Sequence, residues 1–170
     1  HDGKLDRGVD LLVKPFTFED LAARIREVMD RSSSDEIRIL VVEDEVLIRM
    51  FLVQTLDELG CRVEEAGSAA EALDRMRAGA DRITGAIVDL GLPDRPGEAL
   101  IRELRLASPD LPIVLATGHA DGAVRERAAS LGGIQVLAKP FTGPDIEAAF
   151  ARLGLVIPRL QGGKTTASRR

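Results

Sequence analysis

Five strand-like segments, four of them apolar and one, 61–66, alternating between apolar and polar residues, are interspersed with five helix-like segments between residues 37 and 154, and this pattern restricts the possible folds more than any other feature. The strand-like segments have the length of strands, and the helix-like segments show the i, i+4, i+7 spacing of helices. Such alternation predicts an α/β fold with an open parallel sheet. The predicted strands are 37–42, 61–66, 86–90, 112–116 and 134–138. The predicted helices are 46–59, 68–78, 96–106, 121–131 and 143–153.

The tetrapeptide Lys-Pro-Phe-Thr occurs at residues 14–17 and again at 139–142, which indicates an internal repeat. Each copy follows an apolar run and begins a helix pattern, with Asp three residues after the Thr as in a capping box. Residues 1–30 are therefore predicted to be a strand–helix remnant, the truncated C-terminal end of a first domain. The other predicted segments are a polar linker at 31–36, a complete domain at 37–154 and a disordered basic tail at 155–170.

Composition argues against two classes of protein, those that bind nucleic acid and those that span a membrane. A net charge of −5 argues against a nucleic-acid-binding face as the main function. Membrane spans are not expected, because no apolar run approaches the ~20 residues that a span needs. The single cysteine, Cys61, excludes an internal disulfide and is typical of a reducing cytoplasm. We therefore expect a cytoplasmic protein that binds neither nucleic acid nor membrane.

Polar residues lie at the carboxyl ends of four of the five predicted strands. Glu43 and Asp44 follow the first strand, Asp89 lies in the third, and Thr117 and Lys139 follow the fourth and fifth. The carboxyl ends of parallel strands share one edge of the sheet, which is where open α/β sheets bind ligands. We therefore expect these five side chains to converge on one site.

The residue types at this edge favour phosphoryl chemistry with a divalent cation. Three carboxylates at close range repel one another, and a cation with oxygen ligands such as Mg²⁺ relieves that repulsion. A carboxylate can also attack phosphorus and carry an aspartyl-phosphate. Lys139 and Thr117 could then face the incoming negative charge.

Four segments, at 39–45, 88–94, 116–118 and 139–141, resemble the motifs of the response-regulator receiver family. The resemblance covers about 37–154, and it implies a flavodoxin-like (βα)5 fold with a parallel five-stranded sheet in the order 2-1-3-4-5. Residues in the N-terminal remnant resemble the end of a preceding receiver, as in hybrid histidine kinases with tandem receivers.

The resemblance also implies roles for individual residues. Asp89 would accept the phosphoryl group from a histidine kinase or its histidine phosphotransfer domain. Asp44, Asp89 and the backbone carbonyl of Gly91 would bind Mg²⁺ directly, and Glu43 would bind it through water. The chain is thus identified as a member of a two-component phosphorelay.

Three further expectations follow from the resemblance. Lys139 would pair with the phosphoryl group, and the peptide bond from Lys139 to Pro140 would be cis. Thr117 would move to meet a phosphoryl oxygen. Receivers commonly couple this movement to an aromatic residue three positions before the lysine, but this chain has Val136 there.

Two other functional classes are weighed against a phosphoacceptor. A pseudo-receiver that acts as a protein interaction module is the alternative, disfavoured because no phosphorylation residue is missing. An aspartate-nucleophile phosphatase would need an acid two residues after Asp89, where the chain has Gly91, so no enzymatic activity is expected. A homodimer through the last helix and strand is compatible with the receiver interpretation.

Overall fold

The computed structural model describes residues 36–79 and 82–157, in which strands and helices alternate as predicted. The strands are β1 (Arg38–Val42), β2 (Arg62–Ala66), β3 (Gly85–Asp89), β4 (Ile113–Thr117) and β5 (Ile134–Ala138). The helices are α1 (Val46–Glu58), α2 (Ala69–Gly79), α3 (Gly97–Ala107), α4 (Gly122–Ser130) and α5 (Gly143–Arg152). None of these helices is long and apolar enough to cross a membrane. The predicted remnant at 1–30, the linker before Glu36 and the tail beyond residue 157 lie outside the described residues.

The five strands form one parallel sheet in the order β2-β1-β3-β4-β5. This is the flavodoxin-like order that the resemblance to receivers implies. The strand order reverses between β1 and β3, which lie side by side with Val42 opposite Val88. On the other side of β3, Asp89 pairs with Ala116 of β4. The carboxyl ends of β1 and β3 therefore meet at the point where such sheets leave a crevice for a ligand.

Two apolar clusters form the core, one on each face of the sheet. On one face Leu40 and Val88 pack with residues of α2, α3 and α4, and on the other Val41 and Ile87 pack with residues of α1 and α5. Successive strand residues point to opposite faces, which explains this division. All residues of β3 and β4 are buried, which accounts for their continuous apolar sequences apart from their last residues.

Glycine and polar side chains cap the ends of α1 and α2. Gly60 follows α1 with a φ of 87°, the left-handed conformation expected of a glycine at this position. At α2, Ser68 Oγ accepts the N–H of Glu71 at 3.2 Å. The Glu71 carboxylate, however, accepts the N–H of Gly67 at 2.7 Å, one residue before the expected donor. Ser68 and Glu71 thus form a capping box that is one residue wider than the usual one.

The C-terminal end of the domain differs from the sequence-based boundary. Helix α5 begins with the predicted capping box, in which the Asp145 carboxylate accepts the N–H of Thr142 at 2.8 Å. After this helix, Leu155 packs against the core and Ile157 is buried. The predicted boundary at residue 154 is therefore too early, because both side chains belong to the folded domain.

Candidate functional site

Three carboxylates converge at the carboxyl edge of the sheet. Glu43 and Asp44 directly follow β1, and Asp89 is the last residue of β3. Because β1 and β3 are neighbours, one carboxylate oxygen from each residue lies within 4.8 Å of the others. Glu43 (1% exposed) and Asp89 (7% exposed) are buried, whereas Asp44 is exposed. The three residues could together hold a metal ion that remains open to solvent on the Asp44 side.

Lys139 reaches this acidic cluster from the end of β5. Its ammonium nitrogen lies 2.6 Å from Glu43 Oε2 and 2.7 Å from Asp89 Oδ1. The backbone N–H of Lys139 donates to the carbonyl of Thr117 at 2.8 Å, which extends the β4–β5 ladder one residue beyond the strand. The following peptide bond, to Pro140, is cis, in agreement with the expectation from the sequence. Lys139 thus bridges the two buried carboxylates.

Burial and pairing act in opposite directions on these groups. Burial raises the pKa of Glu43 above its usual value; the hydrogen bond from Lys139 opposes the rise and the charge of Asp89 adds to it. Burial is also the largest influence on Lys139 and lowers its pKa. The hydrogen bonds and charges of Asp89 and Glu43 outweigh it, so the pKa of Lys139 is raised overall. Lys139 therefore stays cationic at neutral pH and faces the acids with a fixed positive charge.

The remaining predicted site residues, Gly91 and Thr117, lie at the ends of β3 and β4. The Gly91 N–H donates to Asp89 Oδ2 at 2.7 Å, whereas Lys139 contacts the other carboxylate oxygen, Oδ1. Thr117 is buried at the end of β4, and its hydroxyl accepts the N–H of His119 at 3.1 Å within its own loop. Val136 is partly buried against the core.

Arg49 supports the acidic cluster, although the strand-end pattern does not reveal it. Its Nη1 donates to the backbone carbonyl of Glu43 and, at 3.4 Å, to that of Asp44. Its Nε lies 3.5 Å from Glu65 Oε2 on β2. Arg49 therefore fixes the backbone that carries two of the three acids. One feature of the sequence indicates this role: Arg49 lies in the first turn of the helix that follows Asp44, close to the acidic residues along the chain.

An apolar surface borders the charged cluster. The rings of Phe51 on α1 and Phe141 after β5 have centroids 6.2 Å apart. They line a cavity of about 510 Å³, whose wall also includes Lys139. The exposed large apolar side chains of α1 form what we call the α1 surface: Val46, Leu47, Met50 and Phe51. Contiguous exposed apolar side chains of this kind mark interaction sites.

Comparisons with known proteins agree with this geometry. The sequence profile of the response regulator receiver domain matches residues 39–151. The two-component response regulator PhoP of Pseudomonas aeruginosa is 35% identical over 125 residues, which are 74% of this chain and 53% of PhoP. The sensor kinase CckA of Brucella abortus is 32% identical over 119 residues, which are 70% of this chain and 12% of CckA. The chain therefore spans about half of the first relative and a small part of the second.

Solved structures show the same similarity in three dimensions. The non-phosphorylated HemR receiver domain from Leptospira biflexa is 31% identical, with a TM-score of 0.63. The match covers 72% of this chain and 98% of the HemR domain. The similarity therefore extends across the whole fold described above.

Proposed function

We propose, on the premise that this chain belongs to the response regulator receiver domain family, that Asp89 accepts a phosphoryl group from a histidine kinase. One observation carries the proposal. The Asp89 carboxylate lies at the switch point of the sheet, held between the Lys139 ammonium and the Gly91 N–H, and close to two further carboxylates. Buried carboxylates grouped in this way favour a site that receives a cation and a phosphoryl group over a structural ion pair.

The donor set fits Mg²⁺. Three carboxylates within 4.8 Å of one another supply oxygen ligands, and the exposure of Asp44 leaves room for the waters that Mg²⁺ retains. Glu43, Asp44, Asp89 and the carbonyl of Gly91 would hold the ion. When bound, Mg²⁺ would neutralise charge and polarise the phosphoryl oxygens.

The protein groups account for the transfer step. A carboxylate oxygen of Asp89 attacks the phosphorus of a phosphohistidine and forms a P–O bond. The P–N bond breaks, and its electron pair stays on the imidazole nitrogen; the ring leaves as neutral imidazole because its other nitrogen carries a proton. Lys139, held cationic by its two carboxylate partners, offsets the charge of the incoming group. Thr117, at the same edge of the sheet, would turn its hydroxyl from His119 towards a phosphoryl oxygen.

The α1 surface favours a protein as the phosphodonor, in addition to a small molecule. It lies beside Lys139 and presents exposed apolar side chains where a histidine kinase or its histidine phosphotransfer domain would have to approach Asp89. The single cysteine of the chain is consistent with a cytoplasmic setting for this exchange. A homodimer through α5 and β5 stays a prediction.

Incubation with acetyl phosphate tests the proposal. Intact mass spectrometry should show one added phosphoryl group in the presence of Mg²⁺ and none in EDTA. Asp89→Asn should abolish the adduct, whereas Asp74→Asn, at an exposed acid in α2, should leave it unchanged. A wild-type protein that takes no phosphate would instead support the pseudo-receiver, a pure interaction module.

A further inference from the structure

The loop between β3 and α3 is fastened to a different helix by Asp94. Asp94 Oδ1 accepts the N–H of Ala69 at 3.0 Å, and Asp94 Oδ2 accepts the N–H of Ala70 at 2.9 Å. Both donors are at the N-terminus of α2, whose first N–H groups have no partner within the helix. The hydrogen bond from Ala69 is the main reason that the pKa of Asp94 lies below its usual range. The carboxylate therefore stays ionised and accepts both bonds under ordinary conditions.

The β3–α3 loop directly follows Asp89, the proposed phosphoacceptor. Asp89 ends β3, and Gly91, two residues on, donates its N–H to the Asp89 carboxylate at 2.7 Å. The loop closes where the Gly97 N–H donates to the carbonyl of Leu90 at 3.0 Å. Between these points Leu92 is buried, whereas Asp94 lies on the surface and connects the loop to α2 through two hydrogen bonds of its side chain.

We propose that Asp94 is a positioning residue of the phosphorylation site, holding the β3–α3 loop so that Gly91 stays against Asp89. The inference rests on the proposed function, because it assigns Asp94 a part in Mg²⁺ binding and phosphorylation at that site. Two hydrogen-bonded contacts connect the helix to the site. The N-terminus of α2 binds the Asp94 side chain, and the loop that carries Asp94 places the Gly91 backbone beside the Asp89 carboxylate. Loss of this tie would let the Gly91 backbone, and with it the proposed carbonyl ligand, move away from the cation site.

The chain offers a control that separates this role from helix capping. Ser68 also caps α2, because its Oγ accepts the N–H of Glu71 at 3.2 Å. Ser68 belongs to the β2–α2 turn and makes this contact without involving the β3–α3 loop. Ser68→Ala therefore weakens the same helix end and leaves the tie between the helix and the loop in place.

The experiment compares wild type, Asp94→Ala, Asp94→Asn and Ser68→Ala in the full chain. Thermal unfolding is measured without Mg²⁺, the Mg²⁺ dissociation constant is measured by calorimetry well below the melting temperatures, and labelling by acetyl phosphate is followed at saturating Mg²⁺. Asp94→Ala and Ser68→Ala should lower the melting temperature to a similar extent. Asp94→Ala should also weaken Mg²⁺ binding and slow labelling by about tenfold, since small misplacements near a reacting group have large effects. Ser68→Ala should change both by less than about twofold.

Asp94→Asn should fall between wild type and Asp94→Ala, because its amide oxygen can accept one of the two N–H groups. It also keeps the test valid if the alanine variant does not fold. Equal Mg²⁺ affinity and labelling for the Asp94 variants and Ser68→Ala would overturn the inference. Failure of the wild type to take phosphate would overturn the proposed function, and the Mg²⁺ dissociation constants would still decide whether Asp94 positions the site.

Discussion

Gly97, the first residue of α3, packs directly on the backbone of Asp89. A Cβ atom at Gly97 would overlap the carbonyl oxygen of Asp89 and would lie 3.1 Å from its carbonyl carbon. The helix can approach the end of β3 this closely only because residue 97 has no side chain. The position of α3 and the backbone of the proposed phosphoacceptor are therefore fixed together.

Gly97→Ala should destabilise the domain by about 1–3 kcal/mol, because the new methyl group must push α3 or the end of β3 aside. The same shift should slow labelling of Asp89. Urea unfolding followed by circular dichroism measures the first effect. Gly122→Ala is the matched control: Gly122 is also the first residue of its helix, and a Cβ atom there would meet nothing within 4 Å. If Gly122→Ala were as unstable as Gly97→Ala, the loss of stability would come from placing alanine at the start of a helix and not from the contact with Asp89.

Asp44→Ala should abolish the stabilisation of the domain by Mg²⁺ and raise the metal-free stability slightly, by about 1 kcal/mol or less. The gain is small because Asp44 is exposed, and its repulsion from Asp89 and Glu43 is screened by water. Melting curves with and without Mg²⁺ measure both effects. Glu45→Ala removes a neighbouring negative charge from outside the acidic cluster and should keep the Mg²⁺ response. Undiminished Mg²⁺ stabilisation of Asp44→Ala would count against Asp44 as a ligand.

Lys139→Met should destabilise the metal-free domain by about 2 kcal/mol, because Glu43 and Asp89 would then be buried without a cation. The partial exposure of Lys139 keeps the expected loss below that of a fully buried pair. Mg²⁺ should restore more stability to this variant than to wild type. Arg77→Met is the comparison, since Arg77 and Asp74 form an ion pair of similar length on the surface, where the loss should stay within about 0.5 kcal/mol. Equal losses for the two variants would mean that burial of Glu43 has no energetic consequence.

The Cys61 thiol should react very slowly with a disulfide reagent at pH 8 in the folded protein. Burial, with a contribution from the charge of Asp57, raises the pKa of Cys61 to about 11, so little thiolate is present at that pH. The direction of the pKa shift can be checked by measuring stability at higher pH. Because the pKa of Cys61 is higher in the folded than in the unfolded protein, folding opposes ionisation of the thiol, and the domain should lose stability from about pH 9 upwards. Reaction in guanidinium chloride provides the unfolded reference. A folded-state rate that equals this reference would show that the thiol is not protected.

Deletion of residues 1–33 should leave Mg²⁺-dependent labelling of Asp89 unchanged. Strand β1 begins at Arg38 and pairs with β2 and β3, so the sheet is complete within the described domain. The matching receiver profile likewise begins at residue 39. Labelling and the unfolding midpoint of the shortened chain measure the outcome. A shortened chain that fails to fold would place the preceding segment inside the domain and contradict the predicted boundary.

The resemblance to receivers implies the sheet order, whereas one general rule predicts that Glu43, Asp44, Asp89 and Lys139 converge. Polar residues at the ends of parallel strands must meet at one edge, whatever the loops do. Contacts that depend on the course of a loop follow no such rule. Asp94 meets Ala69, 25 residues earlier in the chain, and no periodic pattern connects them. The abundance of Gly, Thr, Ser and Arg in 155–170 predicts a tail, although Leu155 and Ile157 pack on the core.

The bridge from Lys139 to two carboxylates has a consequence for the order of events at the site. With all groups ionised, the three acids and one ammonium leave the protein with a net charge of −2 there. An anionic phosphodonor that arrives first is repelled by this charge, whereas a dication is attracted and cancels it. The donor then meets a neutral site. We therefore expect the cation to bind before the phosphodonor, because charge balance alone favours that order.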